Sequence, residues 1–141
     1  MGADVRNDTT PMKRLTVLLV DDSGITRQAF REVLNPEADL EVVGEAKNGR
    51  EAVAMVKKLR PQVVLMDVAM PVLNGILATR QLLKAVPATK VLMFSVHSDE
   101  AYVEAAVSSG AMGYLVKQRS AGHMCRAIRE VHKGNSSFSS S

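Results

Sequence analysis

The sequence predicts an α/β domain built on one doubly wound sheet of five parallel strands, with helices on both faces. Three observations lead there. Short apolar runs rich in Val and Leu recur five times between residues 15 and 117, without the polar alternation of a half-exposed strand. Segments of helical period separate them. Four of the five runs end in a side chain capable of polar chemistry, and open parallel sheets bind their ligands at that edge.

Taken in order, "LTVLLVDD" is the first strand and closes on Asp21 and Asp22. "ITRQAFREVLN" follows as a helix whose period puts Ile25, Ala29, Phe30 and Val33 on one inward face. The second strand, "EVVGEA", ends in Ala46 and offers no chemistry. "NGREAVAMVKKLR" opens with the capping pair Asn48 and Glu51 and presents Ala52, Val53, Val56 and Leu59 to the core. The third strand, "VVLMD", runs into Asp67, and no cationic residue lies between Val63 and Gly75 to compensate it. An ionised carboxylate at the margin of an apolar core is costly unless something pairs with it. "NGILATRQLLKAV" is the third helix, and "KVLMFS" is the fourth strand, ending in Ser95. "SDEAYVEAAVSSG" has Ser98 or Asp99 as its cap and Gly110 as its stop. "GYLVK" is the fifth strand, ending in Lys117, and the last helix turns Met124, Ile128 and Val131 inward.

This pattern places the domain at residues 15–133. Residues 1–14 are polar, contain Pro11 and lack periodicity, which predicts a disordered N-terminal arm. Residues 134–141 end in "NSSFSSS", a linker-like serine-rich tail.

Composition narrows the function. At 141 residues, 46% hydrophobic and 23% charged, the chain has the balance of an ordinary globular domain. A net charge of +3 without a dense Lys/Arg stripe argues against direct nucleic-acid binding by this chain alone. The one cysteine, Cys125, has no internal partner for a disulfide. No apolar run is long enough to cross a bilayer, and the first residues lack the apolar centre of a secretory signal. The expected location is cytoplasmic, without membrane contact.

The strand-end residues then specify a chemistry. Asp21, Asp22 and Asp67 brought to one edge cannot all stay ionised unless cations join them, and Lys117 supplies a single positive charge. Oxygen ligands without His or Cys favour magnesium, with manganese as the alternative ion. Such an ion recruits phosphate oxygens, and a carboxylate can act as nucleophile toward phosphorus to form an acyl phosphate.

On these residues the chain resembles the receiver domain of bacterial two-component response regulators, over Leu15 to about Lys133. The landmarks are Asp21-Asp22, "DVAMPVLNG", Ser95 after an apolar strand, and "GYLVK". The resemblance implies a flavodoxin-like (βα)5 fold of strand order 2-1-3-4-5. It implies that Asp67 is the phosphoacceptor, that Asp22, Asp67 and the Ala69 carbonyl bind Mg²⁺ directly, and that Asp21 acts through water. Lys117 and Ser95 would contact the phosphoryl group, and Tyr114 would be the aromatic switch that turns inward when Ser95 moves. A histidine kinase or histidine phosphotransfer protein would donate, and a homodimer would form on phosphorylation. Gln118 stands where the family often has proline. With that residue and the ending "CRAIREVHKGNSSFSSS", the chain looks like the class whose output is a LuxR-type DNA-binding domain and whose function is transcription regulation. Such a protein is a switch, not an enzyme, beyond its own phosphotransfer and slow dephosphorylation.

Plainer readings exist for each residue. Asp21 and Asp22 would cap the first helix, Ser95 would be a turn serine, and Lys117 an exposed strand end. Tyr114 would be an ordinary half-buried strand residue. His97, His123 and His132 read as surface residues, Cys125 and the methionines as core or core flank. The rival function is a Mg²⁺-dependent phosphohydrolase with an aspartate nucleophile, but such enzymes carry a second aspartate two residues on, where this chain has Ala69.

Overall fold

The computed structural model describes residues 13–96, 99–117 and 121–138. Each apolar run forms a strand. In chain order these are β1 (Leu15–Val20), β2 (Leu40–Ala46), β3 (Val63–Asp67), β4 (Lys90–Ser95) and β5 (Gly113–Val116). Between and after them lie α1 (Gly24–Leu34), α2 (Gly49–Leu59), α3 (Gly75–Ala85), α4 (Glu100–Ser109) and α5 (Ala121–His132). A further short strand, β6 (Ser137–Phe138), closes the described chain.

All strand pairs are parallel, in the order β2-β1-β3-β4-β5-β6. The first five reproduce the doubly wound order 2-1-3-4-5 of the flavodoxin-like fold. The sixth, two residues long, adds to the five expected strands at the β5 edge. Within the serine-rich segment, Ser137 pairs with Gly113 and Phe138 with Tyr114, and the Ser137 amide donates to the Met112 carbonyl at 2.9 Å. Gly113 makes room for it, since a Cβ there would lie 2.6 Å from the Ser137 carbonyl oxygen.

Because successive strand side chains point to opposite faces, each buried strand feeds two cores. Leu18, Val20, Val64, Met66, Met93 and Tyr114 pack with α2, α3 and α4 through Val56, Ala78, Leu82 and Ala106. Val17, Leu19, Leu65, Leu92, Phe94 and Leu115 pack with α1 and α5 through Leu34, Met124, Ile128 and Val131. This two-sided burial is why the strands read as unbroken apolar runs.

Helix ends follow the expected chemistry with some differences. The Asn48 side chain accepts from the Glu51 amide at 2.9 Å, and Glu51 reaches back to the Lys47 amide at 3.0 Å. Asn74 caps α3 by accepting from the Leu77 amide at 2.9 Å. Gly110 ends α4 at φ 105, in the left-handed region that favours glycine. Asp99 sits at the α4 cap position without a side-chain cap bond, while Ser98, His97 and Gln118 fall outside the described residues, as does the N-terminal arm apart from Lys13 and Arg14. Two expectations for helix faces fail. Ile25 is 83% exposed and Ala29 also faces out, so the inward side of α1 is Phe30, Val33 and Leu34. The first turn of α1 stands past the end of β1, where there is no sheet for Ile25 to cover. Leu59, in the last turn of α2, is likewise exposed.

Candidate functional site

At the carboxyl edge of the sheet the strand ends converge. β1 delivers Asp21 and Asp22, β3 ends in Asp67, β4 in Ser95, and Lys117 follows β5. Asp21, Asp67 and Ser95 are buried, whereas Asp22 is exposed. One oxygen from each of Asp21, Asp22 and Asp67 lies within 4.8 Å of the others. The Lys117 ammonium reaches Asp21 Oδ2 at 3.1 Å and Asp67 Oδ2 at 3.5 Å, and it stands 5.0 Å from the centroid of the Phe94 ring. The compensation missing around Asp67 thus arrives from a distant part of the chain, and it is shared with Asp21.

Local structure fixes each member. The Asp21 amide donates to the Ala46 carbonyl at 3.1 Å, and Asp21 Oδ1 accepts from the Ser23 amide at 2.8 Å. Ser23, not an aspartate, caps α1, because its hydroxyl accepts from the Thr26 amide at 3.2 Å. Capping therefore does not account for the acidic pair. Past Asp67 the chain makes a tight turn. The Leu73 amide donates to the Pro71 carbonyl at 2.7 Å across Val72, which is held at φ 70, a strained conformation for a β-branched residue. Gly75 closes the loop by close approach, since a Cβ there would lie 2.1 Å from the Asp67 carbonyl oxygen. The Ala69 amide points back to Asp67 Oδ1 at 3.4 Å.

Electrostatics agree with this geometry. Burial, then the neighbouring Asp21 charge, push the Asp67 carboxyl up to about 6, against the pull of Lys117 and the Ala69 amide. Tyr114 is fully buried, with burial raising its hydroxyl and a hydrogen bond to Ser95 opposing that rise. Its ring already lies in the core on the α2–α4 side.

Three carboxylates and one ammonium leave a net negative pocket of hard oxygen donors, with no His or Cys in the cluster. That donor set fits a magnesium-class cation and fits zinc poorly.

Sequence reasoning missed two contributors. Glu45, beside the bland Ala46, pairs with Arg27 at 2.8 Å and with Arg31 at 2.6 Å. Arg27 Nη1 also donates to the Asp21 carbonyl. The only signal in sequence was a carboxylate one residue before a strand end. The exposure of Ile25 and Val72, on the segments that follow β1 and β3, was missed as well; Val96, after β4, is exposed too, as the bulky neighbour of Ser95 that the sequence singles out.

A family model described as the response regulator receiver domain matches residues 17–129. The transcriptional regulatory protein DegU of Brevibacillus brevis is 37% identical over 128 residues, covering 91% of this chain and 54% of that protein. A protein-glutamate methylesterase/protein-glutamine glutaminase of Photobacterium profundum is 45% identical over 104 residues, 72% of this chain and 26% of that one. A crystal structure of a LuxR-family two-component response regulator from Aurantimonas sp. SI85-9A1 superposes with a TM-score of 0.85 at 30% identity, covering 89% of each chain. The chain spans about half the length of the transcriptional regulators it matches. No helix among the described residues is long and apolar enough to cross a membrane.

Proposed function

The chain belongs to the response regulator receiver family, and on that premise we propose that it is a phosphorylation-controlled switch whose acceptor is Asp67. The phosphoryl group comes from a phosphohistidine on a histidine kinase or a histidine phosphotransfer protein. The observation that carries this reading is the convergence of Asp21, Asp22 and Asp67 with Lys117 at the strand ends.

Asp67 attacks phosphorus as the carboxylate. A P–O bond forms while the donor's P–N bond breaks, and the electron pair returns to the imidazole nitrogen. Mg²⁺, or Mn²⁺ in its stead, held by Asp22, Asp67 and the Ala69 carbonyl and through water by Asp21, would neutralise charge on the phosphoryl oxygens. Lys117 holds another of those oxygens. Ser95 gives its hydroxyl to the attached group and exchanges for it the hydrogen bond to Tyr114, whose ring already lies inward and has no turn left to make. The faces of α4, β5 and α5 change with this exchange, as a population shift between two conformers. Exposed Ile25, Val72 and Val96 offer apolar contact to the donor around an acidic pocket. An output domain of the LuxR class would convert the state into transcription regulation, and a homodimer would form on phosphorylation.

Labelling by acetyl phosphate with Mg²⁺ tests the acceptor. The parent is expected to label and Asp67→Asn to lose the label entirely; equal labelling of the two would overturn the assignment. Ala69 gives no acid to a leaving group, so turnover of nitrophenyl phosphate is expected to be negligible. Rapid release of nitrophenol would instead favour a phosphohydrolase.

A further inference from the structure

Arg27 is unusual among the charged residues near the site because both ends of its fork are used. Its Nε donates to Glu45 Oε1 at 2.8 Å, and its Nη1 donates to the backbone carbonyl of Asp21. Its side chain is 18% exposed, so these bonds are well shielded from water. Glu45 is held independently, as Arg31 Nε and Nη2 both reach its Oε2, at 2.8 and 2.6 Å. Among the described residues no backbone amide reaches the Asp21 carbonyl. Arg27 is therefore its partner.

We propose that Arg27 is a positioning residue for the cation: by fixing the Asp21 carbonyl it sets where the Asp22 carboxylate stands, with Glu45 as its brace. The peptide unit is planar, so the direction of the Asp21 carbonyl also fixes the Asp22 amide and α-carbon. Asp22 needs this help. It is exposed, and among the described residues its carboxylate has no hydrogen bond of its own. Asp21, by contrast, is pinned at its amide, at both carboxylate oxygens and at its carbonyl.

Arg27 is not needed to brace α1 against β2, because Arg31 already grips Glu45. What Arg27 adds is a rigid planar fork spanning a strand carboxylate and a loop carbonyl, which a lysine's single ammonium does not reproduce.

The inference rests on the receiver reading of the site, and its test separates the two. Mg²⁺ affinity is measured by calorimetry on the unphosphorylated protein for the parent, Arg27→Ala, Arg27→Lys and Glu45→Gln. Acetyl phosphate labelling is followed alongside as a function of Mg²⁺ concentration. Arg27→Ala is expected to weaken Mg²⁺ about tenfold, the usual scale for losing a group that orients a metal ligand. Labelling should fall by the same factor at limiting Mg²⁺ and recover at saturating Mg²⁺. Glu45→Gln should move affinity in the same direction by less, and Arg27→Lys should not restore it. Should Arg27→Ala fail to fold, Glu45→Gln carries the test. Unchanged Mg²⁺ affinity in a folded Arg27→Ala, with the parent labelling at Asp67, overturns this inference alone. A parent that neither binds Mg²⁺ nor labels overturns both.

Discussion

Asp67 illustrates how a single position trades stability for chemistry. Its folded pKa, about 6, lies above the ordinary aspartate value because of burial and the adjacent Asp21 charge. A carboxyl raised in this way stabilises the fold while protonated, and that contribution is lost as pH rises through about 6. Asp67→Asn should therefore be more stable than the parent at pH 7.5, by about 1–2 kcal/mol after allowance for solvent screening. The gain should vanish toward pH 4, and chemical denaturation across that range measures it. Mg²⁺ should narrow the gap by stabilising the parent more than the variant, which keeps Asp21 and Asp22 but lacks the Asp67 carboxylate. Strand-end residues such as Asp67, Ser95 and Lys117 were legible because a buried parallel strand announces its own end: the apolar run stops and one polar side chain follows. Arg27 was not legible. Its role depends on Glu45, eighteen positions away, and on a carbonyl direction that sequence does not encode.

Among the elements, the loop from β3 into α3 is the most constrained. It combines the turn at Val72, the Gly49 amide donating to the Leu73 carbonyl at 2.9 Å, and Gly75 against the Asp67 carbonyl. Gly75→Ala is expected to destabilise by about 1–3 kcal/mol, the cost of overpacking, with the denaturant midpoint lowered and the slope unchanged. It should also slow acetyl phosphate labelling, because the displaced backbone is that of the proposed acceptor. The cap Asn48 was readable from its spacing to Glu51, whereas the Asn74 cap emerged only in the structure. The outward-facing Ile25 and the strand at Ser137 were not readable either. Helical period identifies an apolar stripe without saying where the sheet beneath it stops. Two residues of serine-rich chain carry no strand signal of their own; β6 exists because Gly113 leaves room for it on the edge of β5.

For the molecule as a whole, ligation at one edge should be felt as global stability, since anything bound only by the folded state adds to it by mass action. Mg²⁺ with beryllofluoride, each near a hundredfold above its dissociation constant, should raise the melting temperature of the parent by about 15–20 °C. Asp67→Asn should lose the beryllofluoride increment, and light scattering on the same samples tests whether the loaded form doubles in mass. The overall architecture was the most legible layer of all, because unbroken apolar strands have few alternatives to a sheet covered on both sides. That same arrangement makes the sheet a bulkhead between two compartments. Ser95 bonds to Tyr114, whose ring belongs to the core under α2, α3 and α4. Lys117 rests over Phe94, whose ring meets Phe30 edge-on at 4.8 Å in the core under α1 and α5. A displacement of those two strand-end side chains is thus registered in both compartments at once, through separate aromatic rings on opposite sides of the wall.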